Sequence, residues 1–103
     1  MNEINKLLIL LAKNDIPFEA RAIKTVDLDG MRESGKVEYE ATIQIVSPSV
    51  DDWKIDAVCH SGSYGHEAGL LEIMSDFEPD DGVVGWLTAE EAYSYFEKVV
   101  QNV

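Results

Sequence analysis

Hydrophobic residues recur with a helical period at both ends of the chain. A first helix is predicted from Asn2, a suitable N-cap, to Asn14-Asp15, which stop it together with Pro17. Its apolar positions are Ile4, Leu7, Leu8, Leu11 and Ala12. A second helix is predicted over residues 89–101, because Thr88 and Glu91 form a capping box. The buried stripe of this helix would consist of Ala92, Phe96, Val99 and Val100.

Three segments between these helices alternate apolar and polar residues, as strands do. The first is Phe18 to Val26, and turn-forming residues follow it at 27–30 and 34–35. The second, residues 37–46, leaves Glu38 and Glu40 on a solvent face and aligns Val37, Tyr39, Ala41, Ile43 and Ile45 on the apolar one. The third, residues 53–59, aligns Trp53, Ile55, Ala57 and Cys59. Connections too short for crossover helices predict antiparallel pairing.

After the third strand, the sequence predicts a loop at residues 61–65, a short helix and a second loop at residues 78–82. The short helix would contain Leu70, Leu71, Met74 and Phe77, although Leu71 and Ile73 could also belong to a strand. We therefore expect a single α+β domain over residues 1–103, ordered α-β-β-β-(α)-α, with a three-stranded antiparallel sheet and helices on one face. The predicted core is Leu7, Leu8, Leu11, Ile43, Ile45, Ile55, Ala57 and Phe96.

Charge is distributed unevenly along the chain, whose net charge is −12. Residues 1–50 contain six basic and eight acidic side chains, whereas residues 51–103 contain two basic and twelve acidic ones. The second half repels nucleic acid and anionic membranes and attracts basic partners. Solubility alone is the simpler explanation of this acidity.

One cysteine cannot form an internal disulfide, which suits a reducing compartment. The apolar run at residues 7–12 is too short to span a membrane, and no signal-peptide cleavage pattern follows it. The sequence therefore predicts a soluble, cytoplasmic protein that does not bind membranes.

Cys59, His60 and His66 form the only cluster of soft metal ligands, and neighbouring strand residues such as Cys59 and His60 point to opposite faces. We expect no metal and no cofactor there. The enzymatic alternative pairs Cys59 with His66, or Ser63 with either histidine, as nucleophile and base. Two acidic segments have part of the spacing of a calcium-binding EF-hand loop, but neither has the glutamate that the final ligand position requires. Lys36 occupies that position after Asp27-Leu28-Asp29-Gly30, and Leu87 occupies it after residues 76–82.

Three stretches of the second half carry a resemblance: Cys59-His60-Ser61-Gly62-Ser63-Tyr64-Gly65, Gly69-Leu70-Leu71-Glu72-Ile73-Met74 and Val84-Gly85-Trp86-Leu87-Thr88-Ala89-Glu90-Glu91. Over residues 53–98 the chain resembles small uncharacterised proteins of bacteriophages and mobile elements of Gram-positive bacteria. The resemblance implies no activity and no residue roles. It does imply a setting in which small acidic proteins bind host machinery, among them anti-CRISPR proteins that imitate DNA.

The favoured hypothesis is a non-enzymatic acidic binding protein that occupies a basic protein surface, such as that of a nucleic-acid-binding protein, as an inhibitor that mimics DNA. The predicted contact residues combine acids with aromatic anchors: Asp51, Asp52, Asp56, Tyr64, Glu72, Asp76, Phe77, Glu78, Asp80, Asp81 and Trp86. The alternatives are a small enzyme that uses Cys59 and His66, and a structural protein that forms oligomers through an exposed sheet edge.

Overall fold

The computed structural model describes residues 2–75 and 82–101. Its elements are, in order, α1 (Glu3–Lys13), β1 (Glu19–Val26), α2 (Leu28–Ser34), β2 (Tyr39–Pro48), β3 (Trp53–Val58), a 3-10 turn (His66–Ala68), β4 (Leu71–Ser75), β5 (Val83–Leu87) and α3 (Ala89–Gln101). The strands form one antiparallel sheet in sequence order, so that β1 and β5 are its edges. The α+β class expected from the sequence is confirmed.

The core lies between the sheet and the helices α1 and α3. Helix α3 contacts β2, β3, β4 and β5, and α1 packs against α3. The fully buried side chains at the centre of this layer include Leu7 and Leu11 of α1, Phe96 of α3, and Ile45, Ile55 and Ile73 of the sheet. These contacts follow from the helical and strand periods of the sequence, because each period places its apolar residues on one face.

The prediction of three strands is wrong, since the sheet has five. The segment predicted as a short helix at residues 70–77 is strand β4 over residues 71–75, and β5 had no counterpart in the prediction. Leu71 and Ile73 are fully buried and alternate with less buried neighbours, which is the strand period. Tertiary burial against α3 therefore outweighs the helical spacing of Leu70, Leu71 and Met74.

The turn predicted after the first strand contains helix α2. Asp27 caps it by accepting a hydrogen bond from the Gly30 N–H at 3.0 Å, and Gly35 ends it with φ 73°. Both cap residues belong to the cluster that was interpreted as turn chemistry alone. An Asx cap followed eight residues later by a left-handed glycine also delimits a two-turn helix.

Strand β2 does not bury the face that its alternation predicts. Ile45 is fully buried, but Ile43 is 42% exposed and Tyr39 is 56% exposed, and Leu8 of α1 is only half-buried. On the opposite face, Thr42 and Gln44 are buried. The helices cover only the C-terminal part of β2, so its N-terminal part and the paired half of β1 lie beyond them.

Candidate binding surface

A β-bulge interrupts the pairing of β4 with β5. Leu71 pairs with Leu87 and Ile73 with Val84, so two residues of β5, Gly85 and Trp86, stand opposite Glu72 alone. The side chain of Trp86 is 54% exposed, and its backbone has φ 60°. A bulge reorients the side chains of its strand, and bulges are common next to functional sites.

The loop after β3 is fastened beside this bulge. The Tyr64 carbonyl oxygen accepts a hydrogen bond from the Trp86 N–H at 3.2 Å. The Tyr64 N–H donates to Glu72 Oε2 at 2.6 Å, so the loop bridges β4 and β5. Tyr64 is 65% exposed although both polar groups of its backbone are engaged. We call these two exposed aromatic residues the Tyr64–Trp86 patch.

Two glycines allow the close approach of the loop to β5. A Cβ at Gly85 would overlap the Cβ of Tyr64. A Cβ at Gly65 would lie 2.9 Å from the backbone N and Cα of Trp86, and Gly65 itself has φ 101°. Since neither position tolerates a side chain without movement of the backbone, the glycines determine the spacing of the patch.

The backbone of Trp86 is strained. A left-handed φ brings Cβ close to the following carbonyl oxygen, which costs on the order of 1–2 kcal/mol in a residue other than glycine. Bulky residues rarely adopt it, and such outliers persist only where the surrounding structure imposes them. Here the bulge and the Tyr64 loop impose it. The fold therefore tolerates strain at a residue whose large side chain remains exposed.

The predicted acidic contact residues lie in different environments. Asp51 and Asp52 are exposed in the β2–β3 turn, where Asp52 Oδ1 lies 3.3 Å from Lys54 Nζ. Glu72 is half-buried and holds the Tyr64 loop. The remaining acids and one aromatic of the prediction lie outside the described residues: Asp76, Phe77, Glu78, Asp80 and Asp81.

Asp56 is buried, although the sequence analysis placed it among the contact residues. Its Oδ2 accepts a hydrogen bond from Gln44 Nε2 at 2.7 Å, and its Oδ1 accepts one from the Met74 N–H at 3.1 Å. Arg21 Nε donates to Gln44 Oε1 at 2.7 Å, which completes a polar chain across three strands. Burial raises the pKa of Asp56, and its two hydrogen bonds oppose this effect.

The alternation of polar and apolar residues does not predict this polar chain. Gln44 occupies a polar position of an alternating strand, which normally faces solvent. Gln44 is buried because β1 and β3 lie on either side of β2. The alternation within one strand does not indicate which residues of the neighbouring strands will cover a polar side chain. The pairing Arg21↔Gln44 in β1–β2 and Val46↔Asp56 in β2–β3 brings the members together.

The residues of the enzymatic alternative are engaged elsewhere. Ser63 Oγ accepts from the His60 N–H at 2.9 Å and donates to the His60 carbonyl at 2.8 Å, and His60 Nδ1 accepts from the Gly62 N–H at 3.1 Å. His66 Nε2 lies 3.5 Å from Asp29 Oδ2. Burial raises the pKa of the Cys59 thiol, and Glu40 raises it further. A reactive cysteine requires the opposite shift.

Cys59 also packs against the core, as its register with Ile55 and Ala57 predicts. Across residues 2–75 and 82–101, no three histidine, cysteine, aspartate or glutamate side chains come together in a way that could hold a metal ion. No helix in these ranges has both the length and the apolar character needed to cross a membrane.

No protein-family model matches the chain, and no match was found among curated proteins or solved structures. Function must therefore be argued from the geometry and the charge of this chain alone.

Proposed function

We propose that the chain is a non-enzymatic acidic binding protein, and that the Tyr64–Trp86 patch is the anchor of its contact surface. The observation that carries this proposal is the exposed Trp86 held at φ 60° by the backbone of Tyr64. Tyrosine and tryptophan supply large contact areas at a low cost in side-chain entropy, and they dominate the binding energy of many interfaces. A loop fastened at both backbone groups of Tyr64 adds preorganisation.

The partner we propose is a basic protein. Residues 51–103 have an excess of ten acidic over basic side chains, and the acidic segment 76–81 joins β4 to β5 in the sequence. The only basic residues in this half are Lys54 and Lys98; Lys54 contacts Asp52, and the Lys98 ammonium lies 4.7 Å from the centre of the Tyr95 ring. The uncompensated negative field would speed the approach of a basic surface, and the patch would hold it at short range.

A basic surface that normally binds nucleic acid is the specific target class we propose. Ten negative charges equal those on roughly five base pairs of duplex, so the acidic half carries enough charge to compete for such a surface. Inhibition of this kind is also what a phage or mobile-element origin, which we propose together with it, would favour. A competition arm in the binding experiment addresses it directly.

The test is affinity capture with immobilised wild-type protein and two variants. Trp86→Ala removes the anchor, and Tyr39→Ala is the matched control, because Tyr39 is a similarly exposed aromatic residue, 56% exposed, on a different strand. We expect a basic protein that wild type and Tyr39→Ala retain, that Trp86→Ala loses, and that salt and double-stranded DNA release. Equal retention by all three proteins, or retention that salt does not weaken, would contradict the proposal.

A further inference from the structure

The two edges of the sheet differ in their protection against pairing with another chain. β5 has five residues and a bulge at Trp86, and both features protect an edge. β1 has eight residues that pair with β2 without a register shift, and every side chain of β1 is exposed or half-buried. Long, regular edge strands with free backbone groups are the ones that recruit another strand.

The charges on β1 decide which partner fits this edge. β1 contains Arg21, Lys24 and Glu19, a net charge of +1 in a chain of net charge −12. Like charges directly opposite each other destabilise a strand pair, so a partner strand must keep its cations away from Arg21 and Lys24. A surface rich in cations, such as that of the partner in the proposed function, satisfies this condition poorly. A second copy of the chain brings only two cations to the edge, Arg21 and Lys24, and its register decides whether they meet.

Self-pairing of β1 has one favourable register. Two antiparallel strands related by a two-fold axis perpendicular to the sheet pair residues of equal parity, because both copies keep the same face toward the helices. An axis at Ala22 pairs Ala22 with itself, Arg21 with Ile23 and Lys24 with Ala20. The flanking pairs are Glu19 with Thr25 and Phe18 with Val26.

This register places no like charges directly opposite each other. An axis at Arg21 would pair two guanidinium groups, and an axis at Ile23 would place Glu19 opposite Asp27. In the register centred on Ala22, Arg21 and its symmetry mate are diagonal neighbours only, and each guanidinium is held by Gln44 Oε1 at 2.7 Å. At the ends of the pairing, the Val26 carbonyl oxygen already accepts a hydrogen bond from Ser61 Oγ at 2.9 Å, so the pairs between Glu19 and Thr25 carry the interaction.

We propose that β1 is a dimerisation edge, at which two copies pair antiparallel around Ala22 to form a continuous ten-stranded sheet. The Tyr64–Trp86 patch belongs to β5 and to the loop after β3, at the far edge of each sheet, and it stays free in this dimer. The proposal is therefore independent of the proposed function. The two also respond oppositely to salt: screening weakens binding of a basic partner, but it strengthens association of two copies that each carry −12.

Sedimentation of the 103-residue chain tests the proposal. We expect a mass twice 11.5 kDa, and tighter association at about 0.5 M than at about 0.05 M salt. Ala22→Lys should weaken the dimer by about fivefold or more, because it places two ammonium groups on the axis. Ala12→Lys is the matched control, since Ala12 is exposed on α1. A monomer at every concentration and salt, or an equal effect of the two lysines, would overturn the proposal.

Cross-linking tests the register without depending on the stability of a lysine variant. In a Cys59→Ser background, Ala22→Cys should form a disulfide between two copies, because directly opposite Cβ atoms lie about 4.5–5.5 Å apart, close to the reach of the bond. Ile23→Cys would be a diagonal neighbour of its mate and should cross-link much more slowly. Equal cross-linking at the two positions, or none at Ala22→Cys, would refute the register.

Discussion

Glu3 Oε2 accepts a hydrogen bond of 2.6 Å from the N–H of Ala89. The first turn of α1 thus caps the first turn of α3, which lies 86 residues further along the chain. A carboxylate at a helix N-terminus accepts from a free N–H and interacts favourably with the helix dipole. The hydrogen bond from Ala89 lowers the pKa of Glu3, and burial opposes this effect.

Glu3→Gln should therefore destabilise the fold by about 0.3–1 kcal/mol at neutral pH, because the amide oxygen can still accept from the Ala89 N–H but the negative charge at the helix N-terminus is lost. A carboxylate with a lowered pKa stabilises the fold fully above its ordinary pKa of 4.5, and this stability is lost as the pH falls through the lowered value. Urea unfolding of both proteins between about pH 3 and 7 measures the difference. A difference that persists unchanged at the acid end would contradict the assignment.

Leu7 and Leu8 test which face of α1 enters the core. Leu7 is fully buried, whereas Leu8 is half-buried, although the sequence predicts burial for both. Leu7→Ala should cost about 2–5 kcal/mol, and Leu8→Ala at least about 1 kcal/mol less, since it removes less buried surface. Phe96→Ala, at a fully buried site of α3, should cost about 3–5 kcal/mol. Equal losses at Leu7 and Leu8 would contradict the described packing.

The sequence correctly predicts the elements in which the hydrophobic period coincides with the buried face. Helices α1 and α3 appear within a residue or two of the predicted positions, and Ile55 and Ala57 are buried as their alternation requires. β4 was mistaken for a helix because Leu70, Leu71 and Met74 also match a helical spacing. Five residues are too few to separate the two periods, and only burial against α3 decides between them.

The sequence identifies Tyr64 and Trp86 as contact residues, but it does not predict that they lie next to each other. Tyr64 and Trp86 were expected as anchors from their type and acidic surroundings. Their contact depends on a bulge and on two glycines that admit close backbone approach, and it joins segments 22 residues apart in the chain. The exposure of Ile43 could not be predicted either, because alternation does not indicate where a covering helix ends.

Gln44 should control the ionisation of Asp56. Burial raises the pKa of Asp56 above 3.8, and the hydrogen bond from Gln44 Nε2 lowers it in opposition. Gln44→Leu should therefore raise the pKa of Asp56 further, since the carboxylate stays buried and loses a donor. Carbon NMR titration of the Asp56 carboxyl measures both values, with Gln101→Leu at the exposed end of α3 as the control. A lower pKa in Gln44→Leu would contradict the description.

The raised pKa also fixes the sign of the dependence of stability on pH. A buried carboxyl with a raised pKa contributes stability that is fully present below its ordinary pKa of 3.8 and is lost as the pH rises through the raised value. Asp56 and Glu3 therefore act in opposite directions between acid and neutral pH. Unfolding measurements on Asp56→Ala should show its stability relative to wild type improving as the pH rises through that window.

Trp86 should display a conflict between stability and binding. Trp86→Gly and Trp86→Ala both remove the indole, but only glycine adopts φ 60° without strain. Trp86→Gly should consequently be more stable than Trp86→Ala by about 1 kcal/mol, and both should lose the captured partner. Thermal unfolding and affinity capture measure the two effects separately. If Trp86→Ala is the more stable protein, the strain assigned to this bulge is wrong.

The acidic segment after β4 should act on the approach of the partner rather than on its retention. Charges act on a partner at long range, so neutralising these acids slows association, whereas truncation of an aromatic anchor speeds dissociation. The first variant replaces four acids by their amides: Asp76→Asn, Glu78→Gln, Asp80→Asn and Asp81→Asn. The second variant is Trp86→Ala.

Association and dissociation rates of the captured partner, measured for both variants and for wild type at about 0.05 and 0.5 M salt, separate these roles. Added salt shortens the Debye length from roughly 14 Å to roughly 4 Å between these conditions, so it should slow association of wild type much more than that of the four-amide variant. Trp86→Ala should keep the salt dependence of wild type, because all its carboxylates remain, and it should dissociate faster. Association rates that are equal for wild type and the four-amide variant at low salt would show that the acidity of this segment serves solubility, and the electrostatic part of the proposed function would then be discarded.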